Sequence, residues 1–130
     1  SISKRIGVIS PPGAYIFYLT TKTRKGMYET LSAEIVSKID SGRILDIGTG
    51  SGNLPIEIAE RSQSVEIIGI DASSTLIGIA RKSAKREEVE GRVKSEVMNA
   101  YNLVFEDDYF DLIVSLGVLH HLANPVKAFN

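Results

Sequence analysis

Several features that mark particular classes of protein are missing from this sequence of 130 residues. It contains no cysteine, which excludes disulfides, zinc sites built from thiolates and any mechanism that needs a cysteine nucleophile. Its formal net charge is −1, so no overall charge attracts nucleic acid or an anionic membrane. No apolar run approaches the roughly 20 residues of a membrane span, and no signal peptide is recognisable. We therefore expect a cytoplasmic protein with no nucleic-acid partner, no membrane span and no metal site.

The stretch from Arg43 to Arg61 (RILDIGTGSGNLPIEIAER) carries the strongest pattern in the chain. Residues 44–47 form an apolar run that predicts a buried strand, and residues 54–59 have helical spacing. Between them, glycines at alternate positions predict a turn that lets a ligand approach the backbone closely. A strand, a glycine turn and a helix in this order make half of a nucleotide-binding βαβ unit.

The spacing of the glycines separates two kinds of nucleotide cofactor. A dinucleotide motif, G-x-G-x-x-G, would need glycine at position 53, where this chain has Asn53 and places its third glycine at Gly52. Asp46 also stands two positions before Gly48. The resulting pattern, Asp-x-Gly-x-Gly-x-Gly, resembles the first motif of the class I S-adenosylmethionine-dependent methyltransferases.

Residues 65–71 read as a second buried strand that ends in the carboxylate of Asp71. An acid at this strand tip can accept hydrogen bonds from the two ribose hydroxyls of an adenosine cofactor. Its alternative role is to cap the following helix, which Ser73 could do instead. Residues 71–76 also resemble the family's D-x-S-x-x-M/L pattern, which implies that Leu76 lies near the cofactor.

The next motif departs from the family. Relatives usually have G-D-A-x-x-L-P-F, with the acid accepting a hydrogen bond from the adenine amino group, but this chain has Asn99 and Val104 at the acid and proline positions. The amide oxygen of Asn99 still accepts a hydrogen bond, although without the charge of a carboxylate.

Residues 112–115 predict a fourth strand, apolar on both faces, followed by a leucine- and histidine-containing segment. This segment resembles that of small-molecule methyltransferases of the ubiquinone/menaquinone-biosynthesis type. The Asn/Asp-Pro-Pro-aromatic motif of amino-methylating enzymes is absent, which argues against methylation of DNA adenine. His120 or His121 is a candidate general base, and packing or helix capping is the alternative for each.

Helical spacing predicts two further helices, over residues 27–39 and 73–86. The apolar face of the first consists of Met27, Leu31, Ile35 and Ile39. In the second we expect Leu76, Ile77, Ile79 and Ala80 to be buried, and Gly78 to allow close approach of helix and sheet. Residues 92–97 alternate in polarity and predict an edge strand.

By resemblance, residues 1–26 are a lid or cap segment with Tyr15 and Tyr18 as candidate lid residues, and residues 27–130 are the cofactor-binding domain. Tyr28 is a further lid candidate, although all three tyrosines could instead pack against the sheet. Methyltransferases with these motifs usually have seven strands, and this chain has motifs for four. We therefore expect an unpaired apolar edge on the fourth strand, from a fragment or completed by a second copy.

The resemblance implies an α/β, Rossmann-like, mainly parallel sheet with motif strands in the order 3-2-1-4. It also implies methyl transfer from S-adenosylmethionine to a small-molecule acceptor by in-line displacement, with S-adenosylhomocysteine as product. The implied cofactor contacts are Asp46, Gly48, Thr49, Gly50, Ser51, Gly52, Asn53, Asp71, Ala72, Ser73, Leu76, Asn99, Ala100, Tyr101, Ser115 and Leu116. The alternatives are a non-catalytic cofactor-binding or assembly module and an NAD(P)-binding oxidoreductase.

Overall fold

A computed structural model describes residues 4–9, 14–19, 26–99 and 109–116, with backbone alone for the first two ranges and for Leu116. The elements are β1 (Lys4–Ile9), β2 (Ala14–Leu19), α1 (Met27–Lys38), β3 (Gly42–Ile47), α2 (Asn53–Arg61), β4 (Val65–Asp71), α3 (Ser74–Arg86), β5 (Val93–Val97) and β6 (Leu112–Leu116). No helix within these ranges is long and apolar enough to cross a membrane.

The strands form one sheet in the order β1-β2-β6-β3-β4-β5. All neighbouring pairs from β2 to β5 are parallel, and β1 is antiparallel to β2. The four strands that carry the motifs, β5-β4-β3-β6, reproduce the predicted 3-2-1-4 order. The predicted fold class, an α/β Rossmann-like and mainly parallel sheet, is therefore confirmed.

The outer edge of β6 differs from the prediction. β2 pairs with β6 in parallel from Tyr15↔Leu112 to Leu19↔Leu116, so the expectation of an unpaired edge on the fourth motif strand is wrong. β1, which pairs with β2, is the outer strand. The reason for expecting a second copy at β6 is thereby removed, while the lid role of residues 1–26 stays a prediction.

The main apolar core lies between the sheet and its helices. Ile44, Ile67, Val93 and Leu112 occupy one row across β3, β4, β5 and β6, because β3 pairs Ile44 with both Ile67 and Leu112, and β4 pairs Ile67 with Val93. All four belong to the buried cluster, together with the predicted α1 positions Met27, Leu31 and Ile35. Tyr28 packs partly buried against the same cluster, as its alternative role predicted.

Two arginines attach helices to the sheet. The guanidinium of Arg92 donates to the carbonyl oxygens of Ala59 (3.0 Å) and Ser62 (2.8 Å) at the end of α2, where helix carbonyls lack partners. The Nε of Arg81 in α3 donates to the Ser95 carbonyl oxygen of β5 at 2.9 Å. These bonds hold both helices over the strands whose carboxyl ends carry the candidate site.

Helix α3 buries a narrower stripe than predicted. Ile77 and Ala80 are buried as expected, but Leu76 and Ile79 are 37% and 45% exposed, so the prediction of burial is wrong for those two. Ile77, Ala80 and Ala84 follow helical spacing along the line that faces the sheet, and each exposed residue lies one position to its side.

The close approach predicted at Gly78 occurs instead at Gly52. A Cβ at Gly78 would have no described atom within 4 Å. A Cβ at Gly52 would lie 3.0 Å from the Cβ of Ala80 in α3, and Gly52 has a φ of +84°. Glycine is therefore required at Gly52 by both space and conformation, and neither requirement applies at Gly78.

Gly78→Ala is expected to increase the free energy of unfolding by about 0.5–1 kcal/mol, because alanine favours a helix interior over glycine. Gly52→Ala, the matched control, is expected to decrease it. Urea unfolding followed by circular dichroism measures both. If Gly78→Ala instead decreased the free energy of unfolding, a side chain at this position would be in contact with another part of the protein.

Candidate cofactor-binding site

The glycine turn between β3 and α2 lies at the carboxyl edge of the parallel strands. Gly48, Gly50 and Gly52 have φ values of 75°, 58° and 84°, in the left-handed region that favours glycine. The amides of Gly48 and Thr49 both donate to the carbonyl oxygen of Ile70, each at 2.9 Å. The turn is therefore attached to the end of the neighbouring strand β4.

Gly50 leaves the turn open on one side. A Cβ at this position would have no described atom within 4 Å, whereas one at Gly52 would press on α3. The Gly50 amide donates to Oδ2 of Asp71 at 2.9 Å, which fixes the open side next to that carboxylate. The absence of a side chain at Gly50 thus leaves space beside an acid.

The carboxylate of Asp71 connects the glycine turn to the loop after β4. Its Oδ2 accepts from Gly50 and its Oδ1 accepts from the amide of Ser73, both at 2.9 Å. The Ser73 hydroxyl caps α3 by accepting from the Leu76 amide at 3.2 Å, so the capping role that was open for Asp71 belongs to Ser73. Each oxygen of the half-buried carboxylate retains capacity for a further donor.

Asp46 is the most deeply buried acid of the site. It is 1% exposed, and its Oδ1 has no hydrogen-bond partner within the described ranges. Burial raises the pKa of this carboxyl to about 7. The nearby Thr49 hydroxyl, which forms no hydrogen bond in the described ranges, acts to lower the pKa, and the negative charge of Asp71 acts to raise it. The two acids therefore differ: Asp71 is half-buried and accepts two backbone hydrogen bonds, whereas Asp46 is buried and one of its oxygens has no partner in the described ranges.

Ser115 lies close to Asp46 along the sheet but on its other face. It is fully buried, and its hydroxyl has no partner in the described part of the chain. β6 places Ser115 opposite Ile47 and places Val114 opposite Asp46. Because side chains alternate between faces along a strand, the predicted contacts Asp46 and Ser115 do not converge on one face.

Apolar side chains flank Asp71 at the edge of the sheet. Leu76 is exposed at the start of α3, and Val97, 49% exposed, lies opposite Asp71 at the end of β5. The amide of Met98 donates to the Asp71 carbonyl oxygen at 3.0 Å, which brings the following Asn99 to the same edge. Sequence reasoning missed Val97; its position at the carboxyl end of a parallel strand was the available signal.

The other predicted contacts divide between described and undescribed parts of the chain. Asn53 donates from Nδ2 to the Ser51 hydroxyl at 3.2 Å at the start of α2, and Ala72 is exposed after β4. Four predicted residues lie outside the described residues: Ala100, Tyr101, His120 and His121. Leu116 is placed by its backbone at the end of β6.

The stretches of sequence on both sides of the turn carry charge of one sign. Residues 44–60 and 62–80 contain no lysine, arginine or histidine, although they include Asp46 and Asp71. In the described ranges, no group of three acidic, histidine or cysteine residues could hold a metal ion. The arrangement is suited to a ligand that carries positive charge, hydroxyl donors and an apolar ring.

Residues 44–130 match the family described as a methyltransferase domain, and the chain belongs to that family. Among curated proteins, it is similar to the ubiquinone/menaquinone biosynthesis C-methyltransferase UbiE of Geotalea daltonii, at 36% identity over 80 residues. The match covers 60% of this chain and 34% of that protein, so the chain spans about a third of the length of its relative.

Solved structures share the fold. A proposed S-adenosylmethionine-dependent methyltransferase from Methanococcus maripaludis is 31% identical with a TM-score of 0.71, over 78% of this chain and 47% of the other. A methyltransferase from Thiobacillus denitrificans, solved in complex with S-adenosylhomocysteine, is 26% identical with a TM-score of 0.65, over 76% and 39% of the two chains.

Proposed function

We propose that this chain is the cofactor-binding part of an S-adenosylmethionine-dependent methyltransferase that acts on a small-molecule acceptor. The observation that carries the proposal is the open side of Gly50, held next to the Asp71 carboxylate by a hydrogen bond of 2.9 Å. Membership of the methyltransferase domain family and similarity to a protein solved with S-adenosylhomocysteine support it.

The polar and apolar groups of the site fit this cofactor. The turn from Gly48 to Gly52 would accommodate the methionine part, since its glycines allow close approach. Asp71 would accept hydrogen bonds from the ribose hydroxyls with the acceptor capacity that its two backbone donors leave unused. The exposed Leu76 and Val97 would contact the adenine ring.

Electrostatics favours this cofactor over a dinucleotide. A pyrophosphate at the turn would bring negative charge to the carboxylate of Asp71, in a stretch without basic residues. S-adenosylmethionine would bring an ammonium and a sulfonium group. The oxidoreductase alternative is thus opposed by charge as well as by Asn53 in place of the third dinucleotide glycine.

The chemistry supplied by the cofactor is a methyl group activated by its bond to a sulfonium. The residues of this chain would bind and orient it so that an acceptor nucleophile attacks in line, forming the bond to carbon as the carbon–sulfur bond breaks. Positioning and exclusion of water account for most of such catalysis. A general base at His120 or His121 remains a prediction.

Isothermal titration calorimetry with S-adenosylhomocysteine tests the proposal, with NADH as control. Saturable binding of the first alone is the expected result. Binding of NADH alone would support the oxidoreductase instead, and binding of neither ligand by folded protein would contradict the proposal. If the chain binds S-adenosylmethionine, small-molecule acceptors are then added and formation of S-adenosylhomocysteine is measured. Its formation would identify a methyltransferase, and its absence a module that only binds the cofactor.

Gly50→Val is expected to prevent binding of S-adenosylhomocysteine, because the new side chain would fill the open side of the turn. Gly26→Val is the matched control. Gly26 also has a positive φ, +86°, and a Cβ built on it would have no described atom within 4 Å. It lies at the start of α1, however, and not in the glycine turn between β3 and α2. Both variants place a valine at a positive φ, so loss of affinity in both would remove the assigned role of Gly50.

A further inference from the structure

Asp46 has no charged or polar side chain beside it on the two adjacent strands. Its neighbours in the sheet are Gly69 of β4 and Val114 of β6, neither of which has a polar side chain. The missing side chain of Gly69 makes room for Thr49, whose hydroxyl would lie 2.5 Å from a Cβ at Gly69. Asp46 and Thr49 therefore lie next to each other on the helix-covered face, each with an oxygen that lacks a partner in the described chain.

Three backbone donors of the glycine turn are committed elsewhere. Gly48 and Thr49 donate to the carbonyl oxygen of Ile70, and Gly50 donates to Asp71. An ionised Asp46 would thus be a buried charge without a hydrogen bond to its Oδ1, which is an expensive state. A neutral carboxyl avoids that cost.

The charged groups around Asp46 do not compensate for its burial. Asp71, at the end of β4, is an acid and acts against ionisation. The titratable side chains of α1 and α2 are exposed or half-buried: Tyr28, Glu29, Glu34, Lys38, Glu57, Glu60 and Arg61. Within the described ranges, none of these groups brings a buried positive charge to Asp46, and a cationic ligand at the turn would supply one.

We propose that the buried carboxyl of Asp46 holds a proton in the ligand-free protein at mildly acidic pH, and that binding of the cofactor drives this proton off as the carboxylate pairs with the cofactor's ammonium group. This inference rests on the proposed function. The proton leaves to solvent, and the ammonium group supplies the positive charge that pairs with the carboxylate. Thr49 is a positioning residue whose hydroxyl can donate to the carboxylate once it forms.

Proton release makes cofactor affinity depend on pH with a definite sign. Where Asp46 is protonated, each pH unit of acidification costs up to about tenfold in affinity, because the proton must be removed before the ion pair forms. Above the titration range the affinity is constant. Between about pH 6 and about pH 8 the dissociation constant of S-adenosylhomocysteine is expected to fall by about tenfold.

Titration calorimetry on the chain as it exists tests this with S-adenosylhomocysteine in pairs of buffers that differ in heat of ionisation. Close to one proton is expected to be released at about pH 6 and almost none at about pH 8. Affinity that is independent of pH, without proton release, would overturn the inference and leave the proposed function intact. Failure to bind at both pH values would instead overturn the proposed function.

Asp46→Asn is expected to bind with the same affinity at both pH values and without proton release. Glu57→Gln is the matched control, since it converts a half-buried acid of α2 to an amide outside the turn and should retain the wild-type pH dependence. The wild-type titration decides the question by itself if Asp46→Asn does not fold. An analogue of S-adenosylhomocysteine without the amino group should bind without releasing a proton, and release equal to that of the parent compound would overturn the pairing.

Discussion

Asp71→Ala is expected to lower the affinity for S-adenosylhomocysteine by more than about 100-fold, because each hydrogen bond to a charged acceptor contributes about 1.5–3 kcal/mol. The same substitution removes the acceptor for the amides of Gly50 and Ser73. The protein should still fold, with a free energy of unfolding lower by about 1–3 kcal/mol. Calorimetric titration and urea unfolding measure the two effects separately.

Asp111→Ala is a matched control for this substitution. Oδ2 of Asp111 accepts from the amide of Arg43 at 3.0 Å, so it is also an aspartate that holds a backbone amide, but at the amino end of β3. Its loss should reduce stability and leave affinity unchanged. If Asp71→Ala bound the ligand as tightly as Asp111→Ala, Asp71 would have no place in the site.

Asp46→Asn is expected to make the stability of the ligand-free chain less sensitive to pH. The pKa of Asp46 is raised from 3.8 to about 7 in the folded protein. Between these two pH values the folded state holds a proton that the unfolded state has lost. Stability from this proton is complete below the lower value and is lost as pH rises through the higher one, by up to about 1.4 kcal/mol per pH unit. The variant lacks this loss.

Urea unfolding of both proteins at about pH 5 and about pH 8 measures the effect, and the difference between them cancels every other titration. The variant should gain on the wild type as pH rises, whereas Glu57→Gln should follow the wild type. A gap between wild type and Asp46→Asn that does not change with pH would show that Asp46 ionises in the folded protein as readily as in the unfolded one.

Local patterns were sufficient to predict most elements of the motif-bearing part. β4 was predicted over residues 65–71, with the bounds that it has, and α2 covers the predicted helical stretch with Pro55 in its first turn. These elements depend on the period of apolar residues and on the conformations open to glycine and proline, which are properties of short segments.

The features that were missed depend on distant contacts. Residues 14–19 were assigned to the lid or cap segment, and the strand β2 that they form pairs with β6 about a hundred residues later, which no local pattern indicates. Asp46 and Asp71 both read as cofactor-binding acids, and only the packing around them distinguishes a buried carboxyl with a raised pKa from a half-buried carboxylate that accepts backbone hydrogen bonds. Likewise, spacing along α3 could not decide how wide a stripe the sheet would cover.

The position of β6 also determines when the sheet can close during synthesis. β6 is the last strand of the described chain, yet it lies between β2 and β3 in the middle of the sheet. Until residues 112–116 leave the ribosome, β2 and β3 each present an open edge, and exposed edges invite pairing with other chains. Folding from the amino terminus is therefore expected to form two separate groups of strands, β1-β2 and β3-β4-β5, which β6 then joins into one sheet.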